Sequence, residues 1–154
     1  MATRSTIALE FADGTVQQVY CHWDGYLDNN GRILRDHYSD PFKLRDLIDL
    51  GDISSLGENI GSKHPFSPFG DGDKEAHEAA VNAGATTFYG RDRGETGTEA
   101  KTFKSFEDYV ENHQYEEYEY ILRNVNGIAT WFVKCHSEPY TTLAEAFEAE
   151  TECV

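Results

Sequence analysis

The stretch YEYILRNVNGIATWFVKC, residues 118–135, decides the fold, because it predicts a β-hairpin with a definite register. Asn126 and Gly127 form one of the residue pairs that most strongly favour a two-residue hairpin turn. With that turn, strand residues pair when their numbers sum to 253, so Glu119 lies opposite Lys134. The same register puts one apolar set on a single face: Tyr118, Tyr120, Leu122, Trp131, Val133 and Cys135. The stretch therefore predicts two antiparallel strands with one buried face.

A second hairpin is predicted near the start of the chain, between residues 5–11 and 15–23. A two-residue turn at Asp13-Gly14 would set the apolar residues of the two strands on opposite faces. A three-residue loop, residues 12–14, makes paired numbers sum to 26 and puts them on one face. We prefer the longer loop, because a left-handed Gly14 suits a bulged three-residue turn. The shared face would then carry Ile7, Leu9, Phe11, Val19, Cys21 and Trp23.

Helices are predicted between and after the hairpins. A short one begins after Asn29 or Asn30, and a clearer one covers residues 39–51, with Pro41 at its first position. Its cap is Asp40, its stop is Gly51, and its apolar stripe is Phe42, Leu44, Leu47 and Ile48. Capping boxes begin two later helices, and their residue pairs are Ser105 with Asp108 and Thr142 with Glu145.

The middle of the chain is less regular. Most of residues 51–73 are rich in Gly, Ser, Pro and Asp, which predicts a loop. An Ala-rich helix follows from an Asp73 cap to a Gly84 stop, and ATTFYGRD, residues 85–92, predicts a strand. Hairpins separated by helices predict an α+β fold. We expect a single domain, residues 1–154, with an antiparallel sheet of about five strands (two hairpins plus one strand) and three to five helices.

Charge limits the partners of the chain. Its 28 acidic and 13 basic residues give a formal charge of −15. Such a surface repels phosphates, so direct binding of nucleic acid or of an anionic membrane is not expected. A basic protein, or a small anion held by a few arginines, fits better. Three cysteines without CxxC spacing and a polar N-terminus lead us to expect a soluble protein of a reducing cytoplasm.

Catalytic and cofactor motifs are missing. The six histidines show no HExxH or HxH spacing, although His22 with Asp24 could ligate a metal in principle. There is no GxSxG, no phosphate-binding glycine loop and no complete calcium loop, and Cys21 stands at an apolar strand position where thiols are usually inert. We therefore predict no catalytic residue, no metal and no cofactor.

Two stretches suggest ligand binding. In CHWDGY, aromatic rings could stack a planar ring while a carboxylate accepts from it. In FYGRDRGE, two close arginines could hold a phosphate. The alternatives are an aromatic corner that seals the sheet end and arginines paired with Asp92 or Glu95. The candidate ligand-binding residues are His22, Trp23, Asp24, Tyr26, Tyr89, Arg91 and Arg93.

The run EDYVENHQYEEYEY, residues 107–120, suggests another use. Its simplest interpretation is a solvated helix face and sheet edge. Its carboxylates could instead imitate nucleic acid and occupy a basic groove on another protein, with the acidic tail adding to that surface. The candidate partner-binding residues are Glu107, Asp108, Glu111, Glu116, Glu117 and Glu119.

Several stretches together resemble a family of small, largely uncharacterised accessory proteins of tailed bacteriophages. They include MATRSTIALEF, VYCHWDGYLDNNGRIL and TTFYGRDRGE, and the YCHWDGY block is the distinctive one. The resemblance covers most of the chain up to the Asn-Gly hairpin. It implies expression in the cytoplasm of an infected bacterium and a role in countering host defence or redirecting host enzymes.

We therefore expect a non-enzymatic anti-defence protein that binds and sequesters a small signalling nucleotide, with its site at the interface of a homo-oligomer. The alternative is an acidic inhibitor of a basic host protein. A third hypothesis is a small enzyme that acts on nucleotides through His22 and Asp24.

Overall fold

The computed structural model describes residues 2–70, 73–113, 115–136 and 139–152. In these residues the strands are β1 (Ser5–Glu10), β2 (Val16–Cys21), β3 (Ile53–Ser55), β4 (Thr87–Phe88), β5 (Lys101–Phe103), β6 (Tyr118–Val125), β7 (Ile128–Cys135) and β8 (Thr141–Thr142). The α-helices are α1 (Arg32–His37), α2 (Pro41–Asp49), α3 (Lys74–Asn82), α4 (Tyr89–Arg93), α5 (Phe106–Asn112) and α6 (Leu143–Glu152). A π-helical turn, Leu27–Gly31, leads into α1. The α+β class is confirmed.

The eight strands form one mixed sheet in the order β4-β3-β2-β1-β6-β7-β8, with β5 also paired to β2. The β1–β6 and β2–β3 pairs are parallel, whereas the hairpins and the remaining pairs are antiparallel. The predicted sheet of five antiparallel strands was therefore wrong in size and in direction. The three strands that the prediction lacked are β3, β5 and β8. Each has only two or three residues, too few to show the alternation of a strand.

Both predicted hairpin registers are confirmed. In β6–β7, Tyr118 pairs with Cys135 and Glu119 pairs with Lys134. Asn126 and Gly127 have φ angles of 54° and 85°, as a two-residue turn with both central residues left-handed requires. In β1–β2, paired numbers sum to 26, so the three-residue loop is the one formed. Trp23 does not join the buried face predicted for it, since it lies beyond β2 and is 44% exposed.

Alternation along the strands gives the sheet two different faces. The first face carries the larger core, where α1, α2 and α6 cover residues such as Ile7, Val19 and Leu122. The second face carries a smaller core, where α5 covers Ala8 and Ile121. Residues that follow each other in a strand therefore belong to separate layers.

Helix ends follow the predicted signals with one exception. The Asp40 side chain accepts from the Phe42 amide at 3.0 Å, the Ser105 hydroxyl accepts from the Asp108 amide at 3.0 Å, and Thr142 and Glu145 cap each other. Asp73 stands at the start of α3 but its side chain makes no capping hydrogen bond. In α2, Phe42 was predicted to be inward, but it is 68% exposed.

Two predictions for the middle of the chain need correction. The loop predicted over residues 51–73 contains β3, which adds to the edge of β2 through the Cys21–Ile53 pair. The strand predicted over residues 85–92 is only β4, and the chain turns there into α4. No described helix is long and apolar enough to cross a membrane.

Candidate ligand-binding site

The turn that follows β2 is held rigidly. The amides of His22 and Trp23 donate to the carbonyls of Ile53 and Ser54, both at 3.0 Å, so β3 continues to hold the chain after β2 has ended. Asp24 then takes a left-handed conformation with φ 55°. A strained non-glycine residue of this kind persists only where its surroundings enforce it.

Gly25 explains why the turn can form. Its amide donates to the Thr3 carbonyl at 2.8 Å. A Cβ at Gly25 would lie 2.7 Å from the Cβ of Ser5 and 2.9 Å from the Thr3 oxygen, so no larger residue fits. The carbonyl of Asp24 accepts from the Asn30 amide at 3.3 Å. The turn therefore presents Trp23 and the exposed Asp24 side chain from a fixed backbone.

The side chains next to this turn form a row of rings. Tyr20 and His22 alternate with the buried Cys21 and so lie on the second face of the sheet. The Tyr20 hydroxyl is 2.6 Å from His22 Nδ1, and the His22 and Trp23 rings meet edge to face at 4.8 Å. Trp23 is 44% exposed, which leaves much of its ring in contact with solvent.

Asp52 connects this row to α4. Its carboxylate accepts from the Tyr20 amide at 3.0 Å, and its carbonyl accepts from the Tyr89 amide at 3.2 Å. The Tyr89 ring lies 5.5 Å from Phe66, and the Arg93 guanidinium lies over Phe66 at 5.1 Å. The two sequence stretches thus meet across β3.

We call the region formed by the rings of the two preceding paragraphs the aromatic surface. Burial raises the pKa of Tyr20, and the Arg4 guanidinium beside the hydroxyl opposes that rise. Burial likewise raises the pKa of Tyr89, so both phenols stay protonated at neutral pH. The aromatic surface consists of Tyr20, His22, Trp23, Phe66 and Tyr89, with Arg4 beside Tyr20 and Arg93 over Phe66.

Arg91 does not belong to this surface. Its Nε donates to Asp92, its Nη1 to the carbonyls of Ile60 and Gly61, and its Nη2 to the carbonyl of Thr86 and to Asp92. A guanidinium has five N–H donors, so all of them are used within the protein. Arg91 ties the loop at residues 60–61 to Thr86, just before β4, and it is not free to hold a phosphate.

Arg93 behaves differently. Its side chain is 56% exposed, and its only ion pair in the described part of the chain is with Glu95 at 3.7 Å. Such a pair is weak in water, so the guanidinium can turn to another anion. Tyr26, just before the π-helical turn, is 41% exposed, and among the described residues no ring contact joins it to the aromatic surface.

Sequence reasoning missed Arg4, Tyr20, Asp52 and Phe66. Tyr20 could have been found, because a residue two before His22 in a strand shares its face. Phe66 could not, since it comes from an irregular loop. Arg4 and Asp52 could not either, because no short spacing relates them to residues 20–23.

The acidic residues lie on two segments of the chain, and one of these residues is buried. Glu107, Asp108 and Glu111 belong to α5, and Asp108 accepts from the Lys104 amide and from Asn112. The hydrogen bond from the Lys104 amide lowers the pKa of Asp108. Glu117 accepts from the Arg4 amide, and Glu116 also lies near Tyr20. Glu119 was predicted to be on this surface, but it is 1% exposed and cannot meet a partner.

Glu119 instead belongs to a buried polar cluster under α5. One of its carboxylate oxygens accepts from the Tyr140 hydroxyl at 3.0 Å and contacts His113 Nε2. His113 Nδ1 lies 2.6 Å from the Tyr109 carbonyl, and its ring stacks on that of Tyr109 at 4.4 Å. Burial raises the pKa of Tyr109 and of Tyr140. We call these four residues, Tyr109, His113, Glu119 and Tyr140, the buried cluster.

An apolar cleft of about 340 Å³ lies on the first face. Leu9, Phe11, Phe42, Leu122 and Ala129 line much of it. It adjoins the end of β1, whereas the aromatic surface adjoins the start of β1. The cleft is therefore separate from the aromatic surface.

Neither a metal-binding cluster nor an accessible Cys21 thiol occurs in the described residues. No group of three or more His, Cys, Asp or Glu side chains among them could hold a metal ion. Cys21 is fully buried, as predicted, and burial raises the pKa of its thiol to about 11. Comparison with protein-family models, with curated proteins and with solved structures found no match.

Proposed function

We propose that the chain is a non-enzymatic protein that binds a small nucleotide on the aromatic surface and so sequesters it. Trp23 and His22 would stack on the base, and Arg93 with Arg4 would meet the phosphates. In keeping with the phage-like sequence blocks, the ligand would be a signalling nucleotide of bacterial defence.

One observation carries the proposal. Trp23 is a large ring that stays 44% exposed on a turn fixed by a left-handed Asp24 and a Gly25 with no room for a side chain. A solvent-facing ring gains from stacking only if something planar covers it. Holding that ring in advance reduces the entropy lost on binding.

The charge pattern supports an anionic ligand. In a chain with a net charge of −15, Arg93 lies beside Phe66 and Tyr89, and Arg4 lies beside Tyr20. A guanidinium matches phosphate oxygens well and stacks on rings. A nucleic-acid strand would extend beyond the two arginines, and its phosphates would be repelled by the acidic rest of the protein surface.

Fluorescence and calorimetry test the proposal together. The chain has two tryptophans, and Trp131 is only 5% exposed, so a stacking nucleotide should quench Trp23 alone. We expect cyclic nucleotides or ADP-ribose-type nucleotides to quench the wild type and Trp131→Phe, but not Trp23→Phe. If no nucleotide of such a panel gives heat in calorimetry at micromolar protein, the proposal is wrong.

A further inference from the structure

The Asp24 carboxylate is exposed, and it makes no hydrogen bond or ion pair within the described part of the chain. An aspartate in a turn ordinarily accepts from a backbone amide two residues further on. Here the carbonyl of Asp24 makes the contacts of the turn instead. It accepts from the Asn30 amide at 3.3 Å and from the Asn29 side chain at 3.2 Å. The carboxylate therefore has both of its oxygens available for a ligand.

The turn fixes this carboxylate beside the exposed ring of Trp23. Asp24 is left-handed, with φ 55°, and the residues on both sides of it are held. The Trp23 amide donates to the Ser54 carbonyl at 3.0 Å, and the Gly25 carbonyl accepts from the Tyr120 hydroxyl at 2.7 Å. Because consecutive Cα atoms are about 3.8 Å apart, a base that covers the Trp23 ring lies within reach of the Asp24 side chain.

The chemistry of a carboxylate limits what it can meet on a nucleotide. An ionised carboxylate only accepts hydrogen bonds, through two oxygens, and it repels phosphate. The edge of the base is a neutral part of a nucleotide that can donate to it. Guanine has two neighbouring donors on one edge, N1–H and the N2 amino group, which match the two oxygens. Adenine offers a single amino group, at N6.

We propose that Asp24 is a specificity-determining residue that accepts from N1 and N2 of a guanine base stacked on Trp23. The inference rests on the proposed function and narrows its ligand to a guanine nucleotide. An adenine, as in ADP-ribose, binds through one hydrogen bond to the same carboxylate and therefore more weakly. The phosphates extend toward Arg93, whose guanidinium lies over Phe66.

Calorimetry with three nucleoside diphosphates tests the role of Asp24. The wild type should bind guanosine diphosphate at least about fivefold more tightly than adenosine diphosphate, the lower end of what one bidentate contact to a base discriminates. Asp24→Asn should prefer xanthosine diphosphate to guanosine diphosphate. Xanthine carries an oxygen at C2 in place of the amino group, and that oxygen accepts from the asparagine amide. Asp24→Gly should lose the preference for guanine over adenine.

Both substitutions suit the backbone, since glycine and asparagine adopt left-handed conformations readily. The ratio of two affinities measured on one variant also does not depend on the fraction of that variant that is folded. Asp28→Asn is the matched control. Asp28 is another exposed carboxylate, but it is paired with Arg32, so its loss should leave the order of affinities unchanged.

The possible failures can be told apart. Equal affinity of the wild type for the guanine and adenine diphosphates would overturn the guanine assignment and leave the proposed function standing. So would guanosine diphosphate bound equally well by the wild type and Asp24→Asn, or binding by other nucleotides but by no guanine nucleotide. If 2′-deoxyguanosine diphosphate bound weakly while the base made no difference, Asp24 would accept from the ribose and the guanine assignment would be wrong. If no nucleotide gives heat, the proposed function fails and the assignment falls with it.

Discussion

The aromatic surface and the buried cluster lie on the same face of the sheet and use the same residue types in opposite ways. Each joins a histidine to a tyrosine hydroxyl or carboxylate and to neighbouring rings. In the buried cluster, both nitrogens of His113 meet acceptors supplied by the chain, the Tyr109 carbonyl and Glu119. On the aromatic surface, only Nδ1 of His22 has a hydrogen-bond partner among the described residues, the Tyr20 hydroxyl.

The difference teaches how to separate a structural polar group from a binding group. A side chain whose donors and acceptors are all satisfied within the protein stabilises the fold and has nothing left for a ligand. The same distinction divides Arg91, whose five donors are all used, from Arg93, which is exposed beside the rings. Mutations of the side chains that are satisfied within the protein should therefore lower stability. Mutations of the exposed side chains on the aromatic surface should instead weaken binding.

The largest effect is expected in the buried cluster. Glu119→Ala removes the acceptor of His113 and Tyr140 and leaves their polar groups buried without it. Breaking a buried pair in this way costs about 3–5 kcal/mol of unfolding free energy. Urea denaturation followed by circular dichroism measures it.

Two further variants keep this test decisive. Tyr140→Phe removes one hydrogen bond to the same carboxylate and should cost about 1 kcal/mol even if Glu119→Ala fails to fold. Glu111→Ala, at an exposed position of α5, should change stability by less than about 0.5 kcal/mol. A loss below about 1 kcal/mol in Glu119→Ala would contradict the structural role of the cluster.

The next effect separates the two arginines. Arg91→Ala should cost about 2–3 kcal/mol of stability, because it leaves the buried Asp92 and three carbonyls without their charged donor. Arg93→Ala should leave the urea midpoint unchanged and weaken nucleotide binding about tenfold, the scale of one lost charge-assisted hydrogen bond. Denaturation and calorimetry on both variants check this.

If Arg91→Ala and Arg93→Ala lowered stability equally, the assignment of Arg91 to the fold and of Arg93 to binding would be wrong. The roles of the two arginines would be reversed if Arg91→Ala lost binding at temperatures where it remains folded while Arg93→Ala bound normally.

The sequence predicted local structure well and long-range pairing poorly. Turn residues and alternation were enough for both hairpin registers, and caps such as Asp40 and Ser105 were enough for helix starts. The parallel β1–β6 pair could not be predicted, because more than 100 residues separate its strands and no local signal encodes the pairing.

Only part of the candidate site could be predicted, because only some of its residues are close together in the chain. The residues of the turn, His22, Trp23 and Asp24, are adjacent in the chain, whereas Tyr89 lies near Tyr20 and Arg93 lies over Phe66. Whether a charged side chain is free or used depends on partners that lie far from it in the chain. Glu119 was therefore misjudged from the sequence, whereas the alternative in which Arg91 pairs with Asp92 is confirmed.

Trp23→Ala should reduce affinity without affecting the fold. Stacking on one aromatic side chain is worth about 1–3 kcal/mol per base, so affinity should fall about 5- to 150-fold. Stability should change by less than about 0.5 kcal/mol, because the ring is exposed. Calorimetry with ADP-ribose measures the affinity, and urea denaturation measures the stability.

Phe42→Ala is the matched control for Trp23→Ala. Phe42 is also an exposed ring, at 68%, but it lies beside the cleft on the other face of the sheet. Its loss should leave nucleotide affinity unchanged. Equal loss of affinity in both variants would point to a non-specific apolar contact rather than to the aromatic surface.

The smallest effect concerns Asp52, which joins β2 to α4 beneath the aromatic surface. Burial raises the pKa of Asp52, against the opposing hydrogen bond from the Tyr20 amide and the charge of Lys101. The folded chain thus holds this proton more tightly than the unfolded chain, where the pKa is 3.8. Ionisation therefore costs stability, and the cost develops as the pH rises from below 3.8 through the raised value.

Replacing Asp52 by asparagine measures that cost. The amide side chain keeps an oxygen for the Tyr20 amide without the charge, so Asp52→Asn should be the more stable form at pH 7. Because Asp52 is only partly buried, screening keeps the gain to about 0.5 kcal/mol or less. Thermal denaturation from pH 3 to pH 7 measures the gap, which should close toward pH 3. A less stable Asp52→Asn at pH 7 would instead mean that the contacts with Tyr20 and Lys101 outweigh burial, and that the tether between the two halves of the aromatic surface depends on the charge of Asp52.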